Sequence, residues 1–520
     1  MELASLPILG FLIVPFIFLL VKHVPKIYAC SAPGKRLPPG PWKLPLVGSL
    51  HHILLSRYRD LPHRALRELS GRHGPLMLLR LGVFPTLVVS SAEAAREVLK
   101  THDTAFASRH LTPTLAVFSR GGQDILFSPY GDLWRQLRRV CVLELLSSRR
   151  VQSFRHIRED EAAGLLRSLA DECARSGGGS VVEIGERVSH VINDVVVRSA
   201  IGSRCPRRDE LVGEIDESVK LTAGFNLADL FPSSTLARWL SGGLRRAARC
   251  NQHVRDIIKD IILERTSAST AGADGSDGSE EEDLLTVLLR VQRDGGAHCA
   301  LTTEIITTVI LEMFAAGSET SSTALEWAMS ELVRKPHLLH KAQAEVREAL
   351  KGQRKITEGD VGKLSYLHLV IRETLRLHAP VPFLLPRQCR ERCEVMGYDI
   401  PEGTKVLVNA WAMCRDGAYW EDAEEFRPER FDASAAVDFK GGDFEFIPFG
   451  AGRRMCPGMG LGLANMELLL ASLLYHFDWE LPRGGDGKPE ELDMSESFGI
   501  TVRKKSKLVL RATQRIPFSH

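Results

Sequence analysis

Residues 302 to 333 place apolar side chains at helical spacing, and 131 to 145, 213 to 223, 337 to 350 and 362 to 378 repeat the pattern over shorter stretches. Such runs do not settle as strands, so the chain is committed to a helix-dominated fold. Short β-rich runs interrupt them at "PLMLLRLGVFPTLVVS" (75 to 90), "EVMGYDIPEGTKVLVNA" (394 to 410) and "GITVRKKSKLVLRA" (499 to 512), each bounded by turn signals. The expected class is mainly α with small β-sheets. A length of 520 residues suffices for a large core and taken alone suggests two or three domains. The acidic stretch "TSASTAGADGSDGSEEED" (266 to 283) reads as an exposed loop between helices, without the closing glutamate of a calcium loop. "SGGGS" (176 to 180) is a second flexible connector, and no internal repeat is present.

The first residues bear on the compartment. "LASLPILGFLIVPFIFLLV" (3 to 21) is uncharged and about as long as a bilayer core is thick, although Pro7 and Pro15 interrupt it. Lys22, Lys26, Lys35 and Arg36 follow it, while Glu2 is the one charged side chain before it, which leaves the rest of the chain on the cytosolic side. Small residues in "ACSA" (29 to 32) would suit a cleaved leader, but its basic leading segment is missing, so an uncleaved anchor is expected. Closely spaced prolines in "KRLPPGPWKLPLVGSL" (35 to 50) hold the backbone extended, as in a stiff spacer. This divides the chain into an anchor (1 to 24), a basic, proline-rich linker (25 to 50) and a body (51 to 520). With 67 basic against 65 acidic residues, a net charge of +2 gives no whole-chain field for nucleic acid.

Ten cysteines stand mostly alone, without the regular spacing of a disulfide framework. Cys389 and Cys393 have the spacing of half a zinc site but no second pair to complete it, and read as two half-buried thiols. Cys456 differs in its surroundings, "FGAGRRMCPG" (449 to 458). A phosphate loop would need Gly-Lys-Ser/Thr here, a dinucleotide fingerprint another glycine, and a redox pair a second cysteine. Pro457 suits a first helical position and "LGLANMELLLASLLYHF" (461 to 477) has helical spacing, so Cys456 is expected at or just before a helix N-terminus, where a thiolate is favoured. Gly450, Gly452 and Gly458 would let backbone approach a large flat group, Phe449 offers an aromatic wall, and Arg454 a charge for an anion. A haem with carboxylate side arms needs such a set, though the loop alone also allows an ordinary buried cysteine.

The F-x-x-G-x-R-x-C-x-G pattern of Phe449, Gly452, Arg454, Cys456 and Gly458 resembles the haem-thiolate loop of the cytochrome P-450 monooxygenases. Three further motifs stand in that family's order: "AAGSETSS" (315 to 322), "ETLR" (373 to 376) and "FRPERF" (426 to 431). "LPPGPWKLPLVGSLHH" (37 to 52), "ETSSTALEWAMSELVRKP" (319 to 336), "PFGAGRRMCPG" (448 to 458) and a grass-like "DMSESFGITVRKK" (493 to 505) are similar to the plant A-type branch. The resemblance spans about residues 35 to 515 and implies the cytochrome P-450 fold behind a membrane anchor. It implies haem b (iron protoporphyrin IX) with Cys456 as metal ligand, and Trp134, Arg138, Arg387 and Arg454 on its propionates. It further implies that the small residues Ala316 and Gly317 make room for O2, and that Glu319 and Thr320 are the catalytic pair that delivers protons. The same resemblance implies a buried network of Glu373, Arg376 and Arg430 behind the haem.

By the same resemblance Leu115, Phe118, Phe225, Met313, Ala316, Val381, Leu385, Phe498 and Ile500 line the substrate pocket. Their apolar character, with no fixed charge apart from the haem-directed groups, fits a small lipophilic substrate, a terpenoid hydrocarbon or its acid first. A phenolic, alkyl-phenol, indole or oxime is the alternative, and a haem isomerase, dehydratase or gas sensor the rival of another class. Implied partners are an NADPH-dependent cytochrome reductase and, as a second candidate donor, cytochrome b5. Implied location is the endoplasmic reticulum membrane, single-pass, with the catalytic body in the cytosol. In "WRQLRR" (134 to 139), Arg139 is expected to face the reductase.

Overall fold

The computed structural model describes residues 36–222, 225–270, 282–294, 301–353, 355–432, 437–483 and 491–518. The expected membrane span (3 to 21) lies outside these, and among the described residues no helix is long and apolar enough to cross a membrane. Most of the acidic loop at 266 to 283 also lies outside them.

The central element is the helix Thr303–Arg334. Thr302 caps it, its hydroxyl accepting the Ile305 N–H at 3.3 Å, and the next helix, Pro336–Ala349, opens on a proline. Its turns are buried nearly all round, with Ile306, Ile310, Phe314 and Met329 fully enclosed, because Ile184–Ile201 and Met459–His476 pack along it. Trp327 closes its second half by stacking on His378, centroids 4.2 Å apart, and donating to the Val502 carbonyl at 3.2 Å.

The other periodic runs become Asp132–Val140, continued by a π-helical turn Cys141–Leu145, then Arg208–Leu221 and Ser365–Leu377. The helix after Cys456 begins later than Pro457 suggested, at Met459 with Gly458 as N-cap. Pro457 is held in the turn before it, because the Cys456 N–H turns back to the Phe449 carbonyl at 2.9 Å.

A five-stranded sheet runs in the order Leu76–Leu81, Phe84–Val89, Lys405–Val408, Arg387–Gln388, Ser108–Arg109. Only the pairing of Phe84–Val89 with Lys405–Val408 is parallel. The end of the proline-rich linker lies on this sheet rather than free of it: Leu78 N–H bonds to Pro39 O at 2.8 Å and Ser49 N–H to Arg80 O at 2.6 Å. A three-stranded antiparallel sheet places Val509–Gln514 between Gly179–Glu183 and Phe477–Glu480. Two hairpins, Cys393–Val395 with Tyr398–Ile400 and Glu496–Phe498 with Val502–Lys504, complete the strands among the described residues.

Candidate active site

The cysteine loop is built by backbone geometry. Gly450 and Gly452 take φ of +72° and +67°, values that side chains rarely adopt. At Gly452 the close neighbour is protein: a β-carbon there would stand 2.3 Å from the Leu99 carbonyl oxygen. At Gly458 it would stand 3.9 Å from the Cys456 sulfur, so that glycine keeps one side of the thiol open. Phe449 packs edge-on against Phe439. Cys456 is exposed, yet deep enough that burial raises its pKa, so it faces an enclosed space rather than bulk water. The Gly458 and Met459 N–H groups and Arg138 pull toward the thiolate, as expected at a helix start, but burial outweighs them.

Three buried arginines, with the half-buried Arg138, surround this space. Arg454 donates to the carbonyls of Ala107 at 2.7 Å and Ser128 at 2.5 Å, with its guanidinium 4.2 Å from the Trp134 ring centroid. Arg387 reaches Ala451 O at 2.9 Å and Asp103 at 3.4 Å. Arg109, not singled out from sequence, donates to Leu126 O and Leu385 O. Arg138 makes no hydrogen bond among the described residues. Burial, then the repulsion of Arg387, lowers Arg454 to about 9; burial also lowers Arg387 to about 10, lowers Arg138, and lowers Arg109 strongly. Trp134 lies here too, its indole N–H committed to Ile125 O at 3.2 Å, so it contributes a ring face to the site.

Behind the loop, Glu373 and Arg376 are fully buried, one helical turn apart. Arg376 donates to both Glu373 oxygens at 2.7 and 2.9 Å, and Arg430 to one of them at 3.0 Å. Arg376 also holds the carbonyls of Cys414, Ala423 and Glu425, which pins the "FRPERF" segment to the helix Ser365–Leu377.

On the central helix, Thr320 Oγ1 donates to Ala316 O at 2.9 Å, a back-bond that loosens the turn. Ala316 is exposed although the helix is enclosed, so it opens onto the interior space. Glu319 is not free: it accepts from Thr501 at 2.7 Å and forms an ion pair with Arg503, which also pairs with Asp216 on Arg208–Leu221. A second acid the sequence did not reveal, Glu312, accepts the N–H groups of Ile125 and Leu126 at 3.0 and 3.1 Å. Beside it Asp124 Oδ1 accepts the Phe127 N–H at 2.8 Å. Burial and the charge of Asp124 push Glu312 well up, and burial raises Asp124 to about 6. The two carboxyls are coupled, and both are harder to ionise here than in water.

A pocket beside the helix Pro113–Phe118 is lined by Leu115, Phe225, Phe498 and Ile500, and also by Phe383, Leu384 and Lys405. Phe118, Met313, Ala316, Val381 and Leu385 do not line it. Leu384 holds φ +51°, strained for leucine by about 1 kcal/mol. The expectation of a pocket without fixed charge fails at Lys405, whose position in the strand "KVLV" gave no sign of burial. Cys389, packed in one core cluster with Leu99, Phe106 and Ala451, and Cys393 are two thiols with sulfurs 3.9 Å apart, and no metal-binding cluster of three occurs among the described residues.

An enclosed, open-sided cysteine, a small-residue gap in the central helix and an under-neutralised ring of arginines fit a flat dianionic iron ligand, which defines the class as a helical haem-thiolate protein. The family model for cytochrome P-450 matches residues 38–510. Dolabradiene monooxygenase of Zea mays is 51% identical over 93% of this chain and 94% of the relative. Zealexin A1 synthase of Zea mays is 50% identical over 94% of each chain. Premnaspirodiene oxygenase of Hyoscyamus muticus is 47% identical over 98% of each. A solved zebra fish cytochrome P-450 with progesterone superposes with a TM-score of 0.71 at 27% identity, over 87% of this chain and 99% of that one. The chain belongs to the cytochrome P-450 family. It is a monooxygenase that uses haem, O2 and electrons delivered by a reductase.

Proposed function

We propose that the chain inserts one oxygen atom into a terpenoid. The observation that carries this is the apolar and aromatic character of the lining formed by Leu115, Phe225, Phe383, Phe498 and Ile500, which favours a hydrocarbon body over a polar one. It agrees with relatives whose names specify dolabradiene, ent-cassadiene and premnaspirodiene.

Cys456 would bind the iron, with Arg138, Arg387 and Arg454 neutralising the propionates and Trp134 packing against Arg454. When bound, the haem supplies activation of O2 by two electrons and two protons, with one oxygen atom passing to substrate and the other to water. Thr320 positions a hydroxyl beside the gap at Ala316, and its proton to Ala316 O can be re-aimed inward. Glu319 exchanges protons through Thr501, its carboxylate held by Arg503. The Glu373–Arg376–Arg430 network fixes the segment behind the cysteine loop.

The electrons come from an NADPH-dependent reductase, with cytochrome b5 as a second donor, across a face that includes the exposed Arg139. Residues 1 to 24 anchor the body to the endoplasmic reticulum from the cytosolic side, an assignment supported by the uncharged run and the lysines after it. The test is to supply microsomes carrying the chain and a plant reductase with NADPH, labelled O2 and a panel of diterpene and sesquiterpene dienes. The expected result is a product carrying one labelled oxygen. Oxygenation of phenolics or indoles with none of any terpenoid overturns the reading.

A further inference from the structure

Lys405 pairs with Thr86 on one side and Gln388 on the other, inside the five-stranded sheet. Strand alternation sends Val406 and Val408 into the core below the sheet, and Lys405 with Leu407 to the pocket face. The side chain is only 5% exposed and lines the pocket with Thr112, Leu115, Phe225 and Phe498. Its ammonium makes no hydrogen bond or ion pair among the described residues, and it lies 6.0 Å from the Phe225 ring centroid.

Neighbouring groups do not neutralise it. Asp229 acts only at a distance, its oxygens already taken by the Thr114 N–H at 2.9 Å and the Asn226 amide at 2.6 Å. His110 is held neutral, its pKa driven to about 3 by burial and by Lys405 itself. Burial lowers Lys405 to about 8, so the ammonium is still charged at neutral pH. A buried cation in an apolar pocket, without a partner of its own, is costly to the fold unless something else meets it.

We propose that Lys405 is a substrate-recognition residue and that the substrate is a lipophilic carboxylic acid, its carboxylate paired with Lys405 and its hydrocarbon body against the aromatic walls. The proposal rests on the reading of this pocket as the substrate pocket. It narrows the terpenoid reading to a terpenoid acid, and so to a place after a reaction that has already oxidised a hydrocarbon to the acid level. The charge pair would fix which end of the molecule points inward, and with it the carbon that is oxidised.

The test is equilibrium dialysis of the detergent-solubilised holoenzyme against dehydroabietic acid and dodecanoic acid, each beside its methyl ester. Wild type, Lys405→Met and Lys405→Arg are compared. Wild type is expected to bind each acid about tenfold more tightly than its ester, Lys405→Met to lose that preference while holding the esters unchanged, and Lys405→Arg to retain it. The methionine variant preserves the length and packing of the side chain, so a structural role alone would leave the acid-to-ester ratio where it was. Equal or better binding of the esters by wild type, no binding of either acid, or a ratio unmoved in Lys405→Met overturns the proposal. Oxygenation of terpene hydrocarbons alongside such a result would leave the terpenoid reading standing. Acid preference without any terpenoid product would remove that reading and keep the role of Lys405.

Discussion

At Gly452 a β-carbon would meet the Leu99 carbonyl oxygen at 2.3 Å while the backbone holds φ +67°, whereas at Gly458 φ is −88° and the nearest atom is the Cys456 sulfur. The two glycines of one motif thus answer to different demands. Gly452→Ala is expected to destabilise the protein by about 2–4 kcal/mol, visible as a lowered thermal midpoint. Gly458→Ala should leave that midpoint nearly unchanged and reduce haem content instead; equal midpoints for both variants would contradict this division. From the sequence both were read as making room for a flat ligand, since spacing shows that a glycine is required without showing what crowds it. Trp134 teaches the same lesson, for its place in the site was legible and the partner of its N–H was not.

Among elements, the hairpin Glu496–Phe498/Val502–Lys504 does more than line the pocket. Through Thr501 and Arg503 it holds Glu319 on the central helix, and through Arg503 it also holds Asp216, itself paired with Lys220 at 2.6 Å. Arg503 is therefore a positioning residue for the proposed proton pathway. Arg503→Gln is expected to keep haem content and substrate affinity while product per NADPH falls by about three- to tenfold, with peroxide released in its place, and Arg503→Lys should recover part of the loss. Unchanged coupling would show that Glu319 works without this anchor. In "TVRKK" the arginine looks like one of several solvated cations, and only the tertiary fold carries it to Glu319. By contrast the Glu373–Arg376 contact was legible because a three-residue spacing on a helix is itself a contact. Lys405 stayed hidden for the opposite reason, as a strand end next to a turn gives no hint that both faces are covered.

For the molecule as a whole, the Glu312–Asp124 carboxyl pair joins the central helix to the segment 124–128, which Arg454 also grips. Both carboxyls sit above their unfolded values, so the folded state binds more protons than the unfolded chain between those values. The pair thus favours folding at low pH, and its contribution is lost as pH rises from the ordinary carboxylate range through about 6 and beyond. Glu312→Gln cannot lose a proton there. The difference in thermal midpoint between wild type and this variant should shift in favour of the variant as pH rises across that window. A pH-independent difference would mean that the pair does not share a proton.

The strand Val509–Gln514 sits between two others, one of which, Gly179–Glu183, precedes it by more than half the chain. During synthesis the earlier strand waits with its edge unpaired until residues 509 to 514 have left the ribosome, so that sheet is assembled long after its first strand is made. Fusions or stop codons near residue 509 would act on that closing step, and expression yield would suffer before the iron site itself is touched.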